Sequence, residues 1–157
     1  VPSMTIAAIN ASMVKKGVEA RFVAVFYGIL SPNGEVTYCN AGHNPPLPIG
    51  KDGVCKLTTG GLIVGLFDEA IYEQEVVTLN PGDTLITFSD GVSEAWDVEG
   101  TEFGDERILE CLHTSPRDIE PSELVQEVLA GVREFIVGEP QGHDITILVV
   151  RYRGERS

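Results

Sequence analysis

The segment 144–152 constrains the fold more than any other stretch of this sequence. On one face of a strand here, Ile145, Ile147 and Val149 are apolar. On the other face, Leu148 and Val150 are apolar as well. A strand with two apolar faces is typically covered on both sides, whereas a half-exposed strand alternates between apolar and polar residues. The segment therefore predicts a central strand in a sheet that lies between two other layers.

The rest of the chain predicts the nature of those layers. Residues 2–17 begin with proline and end on glycine, which is typical of a helix. Apolar residues at helical spacing predict two further helices, 105–113 and 122–137. The chain between the first helix and these two predicts strands at 22–30, 36–40, 54–57, 71–79 and 84–89. A helix, a run of antiparallel strands, two helices and a closing strand indicate a layered α+β domain.

Several details of the strand region follow from local sequence. The apolar run 22–30 predicts a buried strand, which the turn 31–34 joins to 36–40 as a hairpin. The prolines within 45–48 predict a loop or a sheet edge, because proline cannot donate to a ladder. Glycines at positions 60, 61 and 65 predict a flexible connection, and residues 80–83 predict a turn.

Composition restricts the class of function. The 157 residues contain no linker or repeat, so we expect a single domain over residues 1–157. A net charge of −13 argues against binding to nucleic acid or to an anionic membrane. The acidic excess either maintains solubility or gathers some carboxylates around cations. No apolar run is long enough to cross a bilayer, no secretion signal is visible, and the cysteine spacing indicates reduced thiols and a cytoplasmic location.

A carboxylate follows directly after the strand 84–89, in the sequence Ser-Asp90-Gly91. Asp144 begins the other strongly apolar strand, so neighbouring strands would bring the two carboxylates to one rim of a sheet. Grouped carboxylates repel each other unless they are protonated or share a cation, and oxygen ligands suit Mg²⁺ or Mn²⁺. Asp-Gly after a strand is also typical of an ordinary turn, and the pattern leaves both interpretations open.

A second polar sequence, Asn40-Ala41-Gly42-His43-Asn44, precedes two prolines. It indicates either a structural corner, in which polar side chains satisfy loop backbone groups, or a contribution to catalysis or metal binding. The cysteines lack basic neighbours in sequence, so no thiol nucleophile is predicted. The Gly-Gly pair at 60–61 is not followed by the Gly-Lys-Ser/Thr of a phosphate-binding loop.

Four motifs along almost the whole chain, from about residue 2 to residue 151, carry a family resemblance. They read FVAVFYGILSPNGEVTYCNAGHNPPLP, GLIVGLFDE, VTLNPGDTLITFSDGVSEAWDVEGTEFGDERI and HDITILVVR. In this order they resemble the SpoIIE/RsbU-like branch of the metal-dependent, type 2C (PPM) serine/threonine protein phosphatases.

The resemblance implies an α-β-β-α sandwich, in which two antiparallel sheets lie between flanking helices. It also implies that water activated by two Mn²⁺ or Mg²⁺ ions removes phosphate from phosphoserine or phosphothreonine, without a phosphoenzyme. In this branch the usual substrate is a phosphorylated STAS-domain anti-anti-sigma protein, and the activity belongs to bacterial partner-switching regulation. A sensor or receiver domain upstream is a further expectation.

Site residues are implied position by position. Asp90 and Gly91 match the metal-binding Asp-Gly motif of the family. His143 and Asp144 match its terminal Asp-Asp pair, with His143 in place of the first Asp. Because histidine is a poorer ligand for Mg²⁺ than for Mn²⁺, this exchange makes the position less suited to Mg²⁺. We assign to the surroundings of the site four residues of the second polar sequence: Asn40, Gly42, His43 and Asn44.

The sequence also departs from the family pattern. The family's earlier Gly-Asp-x-x-Gly-(His/Lys)-Gly segment, whose Asp bridges both metals, is not found here. We therefore expect the sequence to correspond to the C-terminal two-thirds of such a domain, with its N-terminal part missing and weak metal binding. A sheet edge left open in this way favours a homodimer. The alternative to an active phosphatase is a catalytically inactive pseudophosphatase, or a fragment, that binds proteins as a regulatory module.

Overall fold

The computed structural model describes residues 1–15, 22–51, 53–116, 118–137 and 142–154. A helix, a series of strands, two longer helices and a closing strand follow one another, which confirms the predicted α+β class. The elements are α1 (Pro2–Lys15), β1 (Val25–Leu30), β2 (Glu35–Ala41), β3 (Leu47–Gly50), β4 (Gly53–Val54), β5 (Gly60–Gly61), β6 (Glu75–Thr78), β7 (Thr84–Phe88), α2 (Asp90–Ser93), α3 (Gly104–Thr114), α4 (Pro121–Phe135) and β8 (Ile147–Arg151).

The strands of the described residues form two four-stranded sheets. In the first sheet β2 pairs antiparallel with β1 on one side, while β6 and β5 pair with successive parts of its other side. The second sheet has the order β4-β3-β7-β8 and is antiparallel throughout. The two-residue pair β2–β5 is parallel, whereas the other named strand pairs of the described residues are antiparallel, as predicted.

Three hydrophobic clusters hold the layers together. One packs α1 against the first sheet through Ile6, and another packs α3 and α4 against the second sheet. In α4, Leu124, Val128 and Val132 recur every four residues, so one stripe of the helix is buried. Each such side chain contributes about 1.5–3 kcal/mol when fully buried. The third cluster joins β2 to Leu85 and Tyr152, so it lies between the two sheets and confirms the α-β-β-α layering.

In the sheets that the structure describes, two strands predicted to be buried lie at the edges. The order of the second sheet ends with β8, where Leu148 is 55% exposed. The first sheet ends with β1, where Ile29 and Leu30 are each 41% exposed. The predictions of a central strand at 144–152 and a buried strand at 22–30 are therefore wrong. Apolar residues on both faces indicate that a strand needs cover, but they do not determine its place in the sheet order.

The glycine pair at 60–61 forms β5 and is not a flexible connection. A Cβ atom on Gly60 would lie 1.7 Å from the carbonyl oxygen of Asn40, so only glycine lets the two backbones approach this closely. Pro48 lies within β3, between β4 and β7 in the second sheet. The loop or edge predicted for 45–48 is thus wrong at residues 47 and 48.

Other predictions are confirmed. The hairpin between β1 and β2 forms, and the amide of Asp83 donates to the carbonyl of Asn80 in the predicted turn. The three predicted helices are found within about two residues of their expected bounds, except that positions 16 and 17 lie outside the described residues. All three cysteines are free. In the described parts of the chain, no helix has both the length and the apolar character needed to cross a membrane.

Candidate functional site

Asp90 lies where the second sheet ends and a short helix begins. The strand β7 stops at Phe88, Ser89 remains extended with φ −76° and ψ 165°, and Asp90 is the first residue of the one-turn helix α2. The Asp90 side chain is exposed, and its Oδ1 accepts a hydrogen bond of 2.9 Å from the amide of Gly91. A carboxylate thus stands at the surface at the rim of the sheet, as the sequence predicted.

Gly91 lies against the backbone of the segment that contains His143 and Asp144. A Cβ atom on Gly91 would come within 2.4 Å of the carbonyl oxygen of Asp144 and 3.0 Å of that of His143. Real Cβ contacts are essentially never shorter than 3.0 Å, so a glycine is required at this position unless the backbone shifts. The structure therefore brings all four residues predicted as metal ligands into two abutting segments.

The chemistry of these side chains fits part of a site for a hard divalent cation. Asp90 and Asp144 offer exposed carboxylate oxygens, which are the ligands that Mg²⁺ and Mn²⁺ prefer. Among the residues that the structure describes, no three His, Cys, Asp or Glu side chains are grouped closely enough to hold a metal ion. The two aspartates would thus provide part of a coordination shell, and water or further groups would complete it.

Asn40 organises the second polar sequence as a structural corner. Its side chain is only 5% exposed, and its Nδ2 donates to the carbonyl oxygens of His43 at 2.9 Å and Leu57 at 3.1 Å. Its Oδ1 accepts from the amide of His43 at 2.9 Å. Gly42 adopts a φ of 78°, which favours glycine. Through these bonds the Asn40 side chain fixes the corner, which agrees with the structural interpretation.

Asn44 links this corner to α2. Its Nδ2 donates to Ser93 Oγ at 3.1 Å, three residues after Asp90. The Nδ1 atom of His43 lies 2.7 Å from the carbonyl oxygen of Asn44, and the His43 side chain lines a groove of about 380 Å³ together with residues of β1, β7 and β8. Asn44 thus connects this corner to the helix that carries Asp90.

A hydrogen-bonded cluster in the first sheet has shifted pKa values. The Oε2 atom of Glu75 accepts bonds of 2.6 Å from the hydroxyls of Thr59 and Tyr38. The bond from Thr59, followed by that from Tyr38, lowers the pKa of Glu75. Burial, followed by the bond to Glu75, raises the pKa of Tyr38. This cluster connects β2 with β6 and supports the first sheet.

Sequence reasoning overlooked two hydroxyl residues at this rim, Ser89 and Ser93. The amide of Ser89 donates to the carbonyl oxygen of Thr146 at 2.9 Å, which extends the β7–β8 pairing beyond the last ladder pair, Phe88 with Ile147. Ser93 receives the bond from Asn44 described above. The partners in these two contacts lie 49 and 57 residues away in sequence, so no local pattern indicates them.

Comparison with known proteins gives a consistent family match. The family model described as Stage II sporulation protein E (SpoIIE) matches residues 1–153. Protein IcfG of Synechocystis sp. is 30% identical over 134 residues, which cover 83% of this chain and 21% of that protein. Phosphoserine phosphatase RsbU of Bacillus subtilis is 28% identical over 155 residues, which cover 96% of this chain and 45% of RsbU.

A solved structure shows the same fold. The SiaA-PP2C domain of Pseudomonas aeruginosa superimposes with a TM-score of 0.75 at 22% identity, covering 96% of this chain and 60% of that one. The chain therefore spans less than half of the length of the curated relatives that it matches.

Proposed function

Because the chain belongs to the SpoIIE family, we propose that it is part of a metal-dependent protein phosphatase acting on phosphoserine or phosphothreonine. The observation that carries this proposal is the approach of Gly91 to the backbone of His143 and Asp144. It joins the two sequence segments whose residues match the metal-binding motifs of the type 2C phosphatases. If those segments lay at opposite ends of the molecule, the motifs could not act together.

Residues of this chain would bind the metal ion, and the substrate phosphate would have access to that ion. We propose that Asp90 and Asp144 bind Mn²⁺ or Mg²⁺ through their carboxylates, and that His143 stands at a third ligand position. When bound, a pair of such ions supplies an activated water and neutralises a phosphoryl group. Gly91 has no side chain, which allows the two ligand segments to lie in contact.

The family resemblance supports a proposal for the substrate, and the charge of the chain supports a role for the cation. We propose that it is a phosphorylated STAS-domain anti-anti-sigma protein, in a partner-switching pathway under the control of an upstream sensor or receiver domain. With a net charge of −13, the protein repels a phosphorylated partner at long range. A bound divalent cation would give the phosphate the local positive charge that the protein itself lacks, which supports a cation-dependent mechanism.

The test combines metal binding with hydrolysis. Mn²⁺ is titrated into the wild-type chain and into Asp90→Asn, with Asp68→Asn as a control that removes an exposed carboxylate elsewhere. We expect Asp90→Asn to lose Mn²⁺ affinity and Asp68→Asn to retain it. Hydrolysis of p-nitrophenyl phosphate is then measured with Mn²⁺, on this chain and on a chain extended upstream.

The outcomes separate the enzyme from its alternative. Hydrolysis by the extended chain that disappears in Asp90→Asn supports the phosphatase. Equal Mn²⁺ affinity of wild type and Asp90→Asn removes Asp90 from the site. An extended chain that binds its phosphoprotein partner but is inert with Mn²⁺ contradicts the proposal and indicates a regulatory binding module.

A further inference from the structure

The side chain of Ser89 bridges the rim of the sheet to the segment that carries Asp144. Its Oγ donates a hydrogen bond of 2.9 Å to the carbonyl oxygen of Asp144 and accepts one of 2.9 Å from the amide of Thr146. With the backbone bond from its own amide to the carbonyl of Thr146, one residue makes three bonds to this segment.

The two side-chain bonds hold a stretch at the end of the strand pairing. The ladder between β7 and β8 ends at Phe88 and Ile147, and residues 144–146 precede the strand. A serine hydroxyl can donate and accept at once, so it satisfies one carbonyl and one amide of this stretch together. Alanine at position 89 would leave both groups without these partners and would remove one restraint on Asp144 and one on Thr146.

We propose that Ser89 is a positioning residue, whose hydroxyl fixes the backbone of residues 144–146 against α2 and thereby sets the place of the Asp144 carboxylate relative to Asp90. The metal-binding part of this inference rests on the proposed function. Ser89 and Asp90 are adjacent. Asp90 therefore carries one carboxylate, and the residue before it bonds the backbone of Asp144, which carries the other. This dependence on a hydroxyl distinguishes the role from simple packing.

The experiment compares Ser89→Ala with Ser89→Thr, which keeps a hydroxyl on the same Cβ. Thr87→Ala is the matched control, because Thr87 lies on the same strand and its hydroxyl makes no hydrogen bond within the described residues. The first readout is hydrogen exchange at the Thr146 amide without metal. Loss of its acceptor corresponds to an increase of about tenfold in the exchange rate. We expect this increase in Ser89→Ala, and wild-type exchange in Ser89→Thr and Thr87→Ala.

The second readout is the dissociation constant for Mn²⁺. Loss of a residue that orients a metal ligand weakens binding by about 10–100-fold, so we expect an increase of this size in Ser89→Ala and recovery in Ser89→Thr. Unchanged exchange at Thr146 in Ser89→Ala overturns the proposal, as does increased exchange with unchanged Mn²⁺ affinity. If neither the wild-type chain nor a chain extended upstream binds Mn²⁺, the proposed function fails, and the exchange readout alone decides whether Ser89 positions the segment.

Discussion

The substitution Gly91→Ala tests the geometry on which the site depends. In the structure, the new Cβ would lie 2.4 Å from the carbonyl oxygen of Asp144, whereas ordinary van der Waals contact begins at 3.4 Å. The segment 143–144 would thus have to retreat by about 1 Å, or α2 would have to move away by as much. Both groups in the clash are backbone atoms or are rigidly attached to the backbone, so a change of side-chain rotamer cannot relieve it.

The expected cost has two parts. Overpacking of this kind destabilises a protein by about 1–3 kcal/mol. For a chain of this size, 1 kcal/mol corresponds to a decrease in Tm of about 2–4 °C, so we expect a decrease of roughly 4–8 °C for a mid-range cost of 2 kcal/mol. A displacement of about 1 Å also separates Asp144 from Asp90, and we expect Mn²⁺ affinity to fall by about 10–100-fold.

Gly142→Ala provides the matched control. It lies one residue before His143, and a Cβ atom there would meet no heavy atom within 4 Å. We expect its Tm and its Mn²⁺ affinity to stay close to the wild-type values. Thermal unfolding followed by circular dichroism and a Mn²⁺ titration measure both effects. If Gly91→Ala and Gly142→Ala behave alike in both measurements, then segment 143–144 does not lie against α2, and the proposed arrangement of the site is wrong.

Two further predictions concern the side of the fold where α1 packs on the first sheet. Asn10 in α1 is 2% exposed and makes two hydrogen bonds of 2.8 Å to the loop 65–67. We expect Asn10→Ala to lower the free energy of unfolding by about 2 kcal/mol and Tm by roughly 4–8 °C. An unchanged Tm would show that these bonds do not hold the loop. Burial, with a smaller effect of Cys39, raises the pKa of Tyr72. Tyr72 therefore ionises at lower pH in the unfolded chain than in the folded one. The stability that it contributes below about pH 10 is lost as pH rises through its folded pKa. We expect the urea midpoint of the wild type to fall more between pH 9 and 11 than that of Tyr72→Phe, and equal falls would contradict the shift.

Local sequence signals predicted the elements whose ends are defined by short patterns. The proline and glycine positions placed α1 and the turn at 80–83, and the spacing of Leu124, Val128 and Val132 placed α4 with its buried stripe. These patterns act within one or two turns of the chain, so a sequence contains the information directly. The predicted rim carboxylate at Asp90 belongs to the same class, because it depends only on where β7 ends.

Predictions that depend on pairing between distant segments were less successful. The segment 144–152 is apolar on both faces, yet β8 pairs with β7 alone in the described sheet, since the order of strands depends on partners far away in sequence. Gly60 was interpreted as flexible, although its lack of a side chain serves a close approach to Asn40. The helical turn α2 was not predicted, because four residues are too few to show a period of 3.6.

The glycine after Asp90 is explained by what lies beside it. An ordinary turn would need glycine for a positive φ, yet Gly91 is not among the glycines of this chain with positive φ. The constraint is the carbonyl of Asp144, which occupies the space where a side chain would begin. The other side of α2 is restrained by Asn44, which lies in the corner that leads from β2 in the first sheet to β3 in the second. The helix α2 that carries Asp90 is therefore held by contacts from two distant parts of the chain, which fits a metal-ligand position better than an ordinary turn.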